Sequence, residues 1–146
     1  MATQGTLRLH VKTATLERDV GTQDDLVMDP YVVISNRVHA TRTRALENAG
    51  KTPCWNECIE LEISDISDDI LLRVMDENVG SNTEIGRCSI KLAAMCVSGG
   101  LDSTWSLAFG NKRAGKIHIH GEWEPAGSDP VSVSASAMPG LQQTVA

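Results

Sequence analysis

From Leu7 to Trp123 the apolar side chains recur mainly at every second position. Leu7, Leu9 and Val11 alternate with Arg8, His10 and Lys12; Ile59, Leu61 and Ile63 alternate with Cys58, Glu60 and Glu62; Ile70, Leu72 and Val74 alternate in the next segment. A period of two puts successive side chains on opposite faces of an extended chain, so these segments are half-buried strands. Residues 31–34 form a short, fully apolar strand, and 38–44, 85–90, 105–107 and 116–123 complete a set of eight. Only residues 91–97 could make a helix, of about two turns. A doubly wound α/β fold needs helices that are absent, and Gly, Asn, Asp and Ser between evenly spaced strands mark turns. The expected fold is all-β, an eight-stranded antiparallel β-sandwich with Greek-key connections.

Aromatic residues make up 3% of the chain (Tyr31, Trp55, Trp105, Phe109 and Trp123), so aliphatic side chains must fill most of the interior. With 41% hydrophobic and 22% charged residues they can do so, which excludes a disordered chain. No apolar run reaches the ~18–20 residues of a membrane span, and residues 1–10 lack the core of a signal peptide, so the expected setting is cytoplasmic. After Pro125 the chain turns Ser-, Ala- and Gly-rich, and residues 126–146 are expected to be a flexible tail to a 1–125 domain. Cys54, Cys58, Cys88 and Cys96 have neither disulfide-framework nor C-x-x-C zinc spacing; they are expected to be small buried or half-buried thiols.

The net charge of −6 argues against nucleic acid as a partner, because that binding needs a cationic face. The charge is uneven: residues 37–51 hold four cations to one acid, and residues 57–84 hold nine acids to one cation. Two acidic loops, 21–29 and 76–86, border strands and could share one end of a sandwich. Hard cations seek several oxygens converging from such loops, which raises a calcium hypothesis.

Four motifs then resemble the C2 domain family of calcium- and phospholipid-binding proteins: Asp29-Pro30-Tyr31-Val32, Thr52-Pro53-Cys54-Trp55-Asn56-Glu57, Leu72-Arg73-Val74-Met75-Asp76 and Glu84-Ile85-Gly86-Arg87. They run in the family's order, and the absence of a strand before residue 5, with one supplied at 116–123, is similar to its circularly permuted type II arrangement. The resemblance implies Ca2+-binding loops at one end of the sandwich, directed at membranes. Of the family's five aspartates, Asp29 matches the second and Asp76 the third. Asp24 could serve as the first in a loop one residue shorter, Asn78 stands at the fourth position and Thr83, beside Glu84, at the fifth. At most three carboxylates remain, so the implied Ca2+ site is weakened or absent.

Leu26, Val27 and Met28 are expected at the tip of the first loop and Val79 at the tip of the third, where apolar side chains could enter lipid at ~1.5–3 kcal/mol each. On the strand after Asp-Pro-Tyr, where family members carry lipid-binding lysines, the matching positions are Val38 and Ala40. Arg42 and Arg44 remain on that face, with Thr41 and Thr43 opposite. The expected protein is a peripheral, phospholipid-binding module with calcium-responsive loops, reversibly membrane-associated. The alternative is a calcium-independent protein-interaction module on the same scaffold. An enzyme is not expected: His118 and His120 share a strand face, but no third metal ligand stands at convincing spacing.

Overall fold

A computed structural model of the chain describes residues 4–20, 27–96 and 99–126. Eight strands carry the fold: β1 (Gly5–Leu16), β2 (Pro30–Ser35), β3 (Ala40–Arg42), β4 (Cys54–Ile63), β5 (Asp69–Asp76), β6 (Thr83–Lys91), β7 (Gly100–Phe109) and β8 (Lys112–Pro125). One short helix, α1 (Leu92–Cys96), lies where the sequence left room for it. All pairings are antiparallel, in the order β3-β2-β5-β6-β7-β8-β1-β4. Between β6 and β7 only Arg87 and Ala108 are in register, so the order divides there into two four-stranded halves. At the far edges the halves meet again: the Arg44 N–H donates to Glu57 Oε1 at 3.0 Å, and Trp55 Nε1 donates to the Pro30 carbonyl at 3.0 Å. The expected sandwich is thus a single, nearly closed eight-stranded sheet.

The alternation seen in the sequence is the alternation of burial. Leu7, Leu9 and Val11 of β1, Val32 and Ile34 of β2, Ile59, Leu61 and Ile63 of β4, and Ile70, Leu72 and Val74 of β5 all fill the core. An extra β1 residue at the bulge between Val11 and Thr13 shifts the inward phase to Ala14 and Leu16. Trp55 is the one large aromatic fully inside.

Three expectations need correction. The third strand, expected over 38–44, is shorter because Asn36 closes a turn: its Oδ1 accepts the N–H groups of Val38 and His39. The seventh, expected over 105–107, is longer and ends on Phe109; of its side chains only Leu107 is buried, so apolar patterning could not reveal it. Cys54 and Cys58 are exposed, whereas Cys88 and Cys96 follow the expectation, and burial pushes both of these thiols up to about 11. Residues 127–146 of the expected tail lie outside the described residues. Among those described, no helix is long and apolar enough to cross a membrane.

Candidate functional site

Strand β2 begins and β5 ends side by side, with Pro30 opposite Asp76. The chain before Asp29 and the chain after Asp76 therefore leave the sheet at the same end. Asp76 continues the inward set Ile70, Leu72, Val74, so its carboxylate sits at a core-facing position with 3% of the residue exposed. Its Oδ1 accepts the Asp29 N–H at 2.8 Å, and Asp29 Oδ1 accepts the Asn48 N–H at 2.8 Å. The Glu77 N–H closes the cluster on the Asp29 carbonyl at 3.1 Å. Burial chiefly holds the Asp76 carboxyl above the ordinary carboxylate range; the Asp29 N–H draws it back, and the charges of Asp29 and Asp19 push it up again. Asp19 went unnoticed in the sequence because it stands outside the motif, yet its charge reaches Asp76.

Asn78 and Thr83 meet across the third loop, where Asn78 Nδ2 donates to Thr83 Oγ1 at 3.0 Å. Asn82 Oδ1 accepts the Asn78 N–H at 3.0 Å, and Asn82 Nδ2 donates to the Tyr31 hydroxyl at 2.6 Å. Four of the five expected cation ligands thus lie at one end of the sandwich, while Asp24 lies outside the described residues. Two carboxylates, an amide and a hydroxyl are a hard-cation donor set that is short of negative charge. Among the described residues, no three His, Cys, Asp or Glu groups are disposed to hold a metal.

The apolar tips divide. Val27 is 49% exposed and Val79 is 107% exposed, with Gly80 (φ +99°) turning the loop behind it. Met28, expected to reach lipid, is instead 1% exposed. Its carbonyl accepts the Gly50 N–H at 3.1 Å and its sulfur lies 3.4 Å from the Val20 nitrogen, so the chain has already turned into the core before Asp29. Leu26 lies outside the described residues.

On the outer face of the β3-β2-β5-β6 half, Arg42, Val33, Arg73 and Arg87 are in register across four strands. Arg42 stacks 3.7 Å over the Tyr31 ring and reaches Glu77 at 3.3 Å. Arg87 holds Glu84 through two 2.7 Å hydrogen bonds. Arg73 Nε is buried, with no partner among the described residues. Arg42 and Arg44 are both exposed on either side of buried Thr43, as the alternation predicts. The arginines of β5 and β6 were missed because the row exists only across strands. A cleft of about 630 Å³ at the opposite end, lined by Gln4, Val38, His39, Glu62 and Glu124 among others, belongs to none of this.

A C2 domain family profile matches residues 5–107. The chain belongs to the C2 domain family. Among curated proteins, this C2 chain is 26% identical over 101 residues to 16 kDa phloem protein 2 of Arabidopsis thaliana, covering 68% of this chain and 69% of that one. It is 28% identical over 103 residues to elicitor-responsive protein 1 of Oryza sativa subsp. japonica, covering 65% of this chain and 64% of that protein. Among solved structures, the C2A domain of plant extended synaptotagmin 1 superposes with a TM-score of 0.73 at 21% identity, covering 86% of this chain and 98% of that one. A calcium-bound structure of the extended synaptotagmin 2 C2A and C2B domains gives 0.71 at 24%, over 84% of this chain and 46% of that one. At these identities the structures show the C2 fold alone.

Proposed function

We propose that this C2 domain is a peripheral membrane module that docks by the end carrying Val27 and Val79, assisted by a weak Ca2+ response. One observation carries the reading: two exposed valines flank a pair of acidic residues in which Asp29 donates its backbone N–H to the buried Asp76 carboxylate. A carboxylate held in apolar surroundings near other acids costs free energy when ionised. A divalent cation bound by Asp29 and Asp76, with Asn78 and Thr83 beside them, would relieve that cost and cancel repulsion from anionic headgroups. Asp24 is proposed as a further ligand and Leu26 as a further inserting side chain. With so few carboxylates the affinity falls in the ~10⁻⁴–10⁻³ M range.

The arginine row supports headgroup contact on the adjoining face. Arg73 stands in register between Arg42 and Arg87, which are partly neutralised by Glu77 and Glu84. Arg44 extends the same basic strip. β8, the last of the described strands, pairs with β1, which leads toward the first loop, and this supports type II connectivity.

A second reading has its own observation. Asp29 Oδ1, Asp76 Oδ1 and Thr83 Oγ1 accept hydrogen bonds from protein donors, so these oxygens have partners other than a cation. That favours a calcium-independent module binding a protein. Co-sedimentation with phosphatidylserine vesicles separates the two: binding that rises with Ca2+ and is lost in D29N/D76N supports the first, and absence of lipid binding at every Ca2+ level leaves the second.

A further inference from the structure

The half-sheet facing away from the arginine row carries three of the chain's four histidines. His10 lies on β1, and His118 and His120 lie on β8, all three half-buried on the outer face behind buried Leu9, Val11, Ile117 and Ile119. His10 is directly in register with His120, and Asp102 of β7 is in register with His120 from the other side. Neighbouring strands lie ~4.8 Å apart and alternate residues of one strand ~6.8 Å apart, so the fold gathers three imidazoles and a carboxylate on one small patch. The His118–His120 pair lacked a third ligand in the sequence; the pairing of the first and last strands supplies it.

We propose that His10, His118 and His120, with Asp102, form a surface site for a borderline divalent transition-metal ion such as Zn2+. Two ligands come from alternate positions of one strand and a third from its neighbour, an arrangement that lets imidazole nitrogens approach an ion at ~2.0–2.1 Å and leaves a position for water. Imidazole nitrogens select Zn2+ over Ca2+, which takes oxygen ligands, so this site and the loops answer to different ions. His118 Nε2 lies 2.6 Å from Asp102 Oδ1 and His120 Nε2 lies 3.5 Å from Glu122 Oε2. These contacts turn the rings toward carboxylates, and no three donors yet surround one point. Binding therefore rotates partly exposed rings, with Asp102 available either as the fourth ligand or as the partner orienting His118. Of the nearby cations, Arg8 is held by Glu60 and Glu124, whereas Lys12 acts on Asp102 and opposes binding. Cys58, exposed and in register with His10, is the competing thiol.

The test is Zn2+ titration of the full chain at neutral pH, read by calorimetry and by the histidine ring NMR signals. One equivalent should bind, shifting His10, His118 and His120 but not His39. H10N and H120N should each weaken binding at least about tenfold, a loss typical of disturbing even an outer-shell partner. C54S/C58S should bind as before, and excess Ca2+ should not displace Zn2+. Histidine signals that do not move in the unaltered chain would overturn the site without recourse to any variant. So would Zn2+ binding that persists in H10N/H120N or disappears in C54S/C58S.

Discussion

Asp76 owes its position to a strand that keeps its alternation one inward position beyond the apolar set Ile70, Leu72 and Val74. Its carboxyl pKa is raised, so the folded state holds this proton more tightly than the unfolded chain does. Asp76 therefore favours folding below the ordinary carboxylate pKa, and the contribution is lost as pH rises through the folded value. At neutral pH the ionised group is a burden. D76N keeps an oxygen for the Asp29 N–H and removes the charge, so it should melt above the unaltered chain at pH 7 and alongside it below about pH 3.9. Thermal unfolding across that range checks this; a lower melting temperature at pH 7 would contradict it. Trp55 is a second decisive residue, buried and bonded to the Pro30 carbonyl. W55F should cost about 1 kcal/mol for the lost hydrogen bond and W55A ~3–5 kcal/mol for the cavity, measured by denaturant unfolding. Asp29, Asp76 and Trp55 were legible because motif and period agree on them. Met28 was not: an apolar residue in a polar loop looks the same in sequence whether it points to lipid or folds back to Val20 and Gly50.

The two halves of the sandwich join at β6 and β7 through one registered pair, and Gly86 stands at that seam. A Cβ there would lie 2.6 Å from the Ala114 Cβ and 3.4 Å from the Ala108 carbonyl, so the glycine of the Glu84-Ile85-Gly86-Arg87 motif permits close approach. G86A should destabilise by ~1–3 kcal/mol through overpacking, again read by denaturant unfolding. Strands with a buried aliphatic stripe, β1, β4 and β5, could be read directly from the alternation. β7 and β3 could not, since β7 buries few side chains and β3 is cut short by the Asn36 turn. The arginine row depends on register between β2, β3, β5 and β6, which local patterning does not encode. R73Q/R87Q should weaken binding to anionic vesicles several-fold with or without Ca2+, while vesicles lacking anionic lipid show no difference.

Across the whole molecule, chemistry is sorted by location. Three loops meet at one end through Asp29, Asn48 and Asp76, the arginine row lies on one outer face, and the histidine patch lies on the other. The charge asymmetry of the sequence anticipated an acidic end and the basic strand of Arg42 and Arg44, but not Arg73 and Arg87 of the row, and the third required the first and last strands to pair. The proposed membrane docking depends on the end with exposed Val27 and Val79. The most direct measurement is co-sedimentation with phosphatidylserine vesicles over a Ca2+ series, comparing the unaltered chain, D29N/D76N and V27D/V79D. Binding should rise as Ca2+ passes through ~10⁻⁴–10⁻³ M, lose that rise in D29N/D76N and fall to background in V27D/V79D. Binding indifferent to Ca2+ and to both valines, or no binding under any condition, would contradict the proposed membrane role of this end.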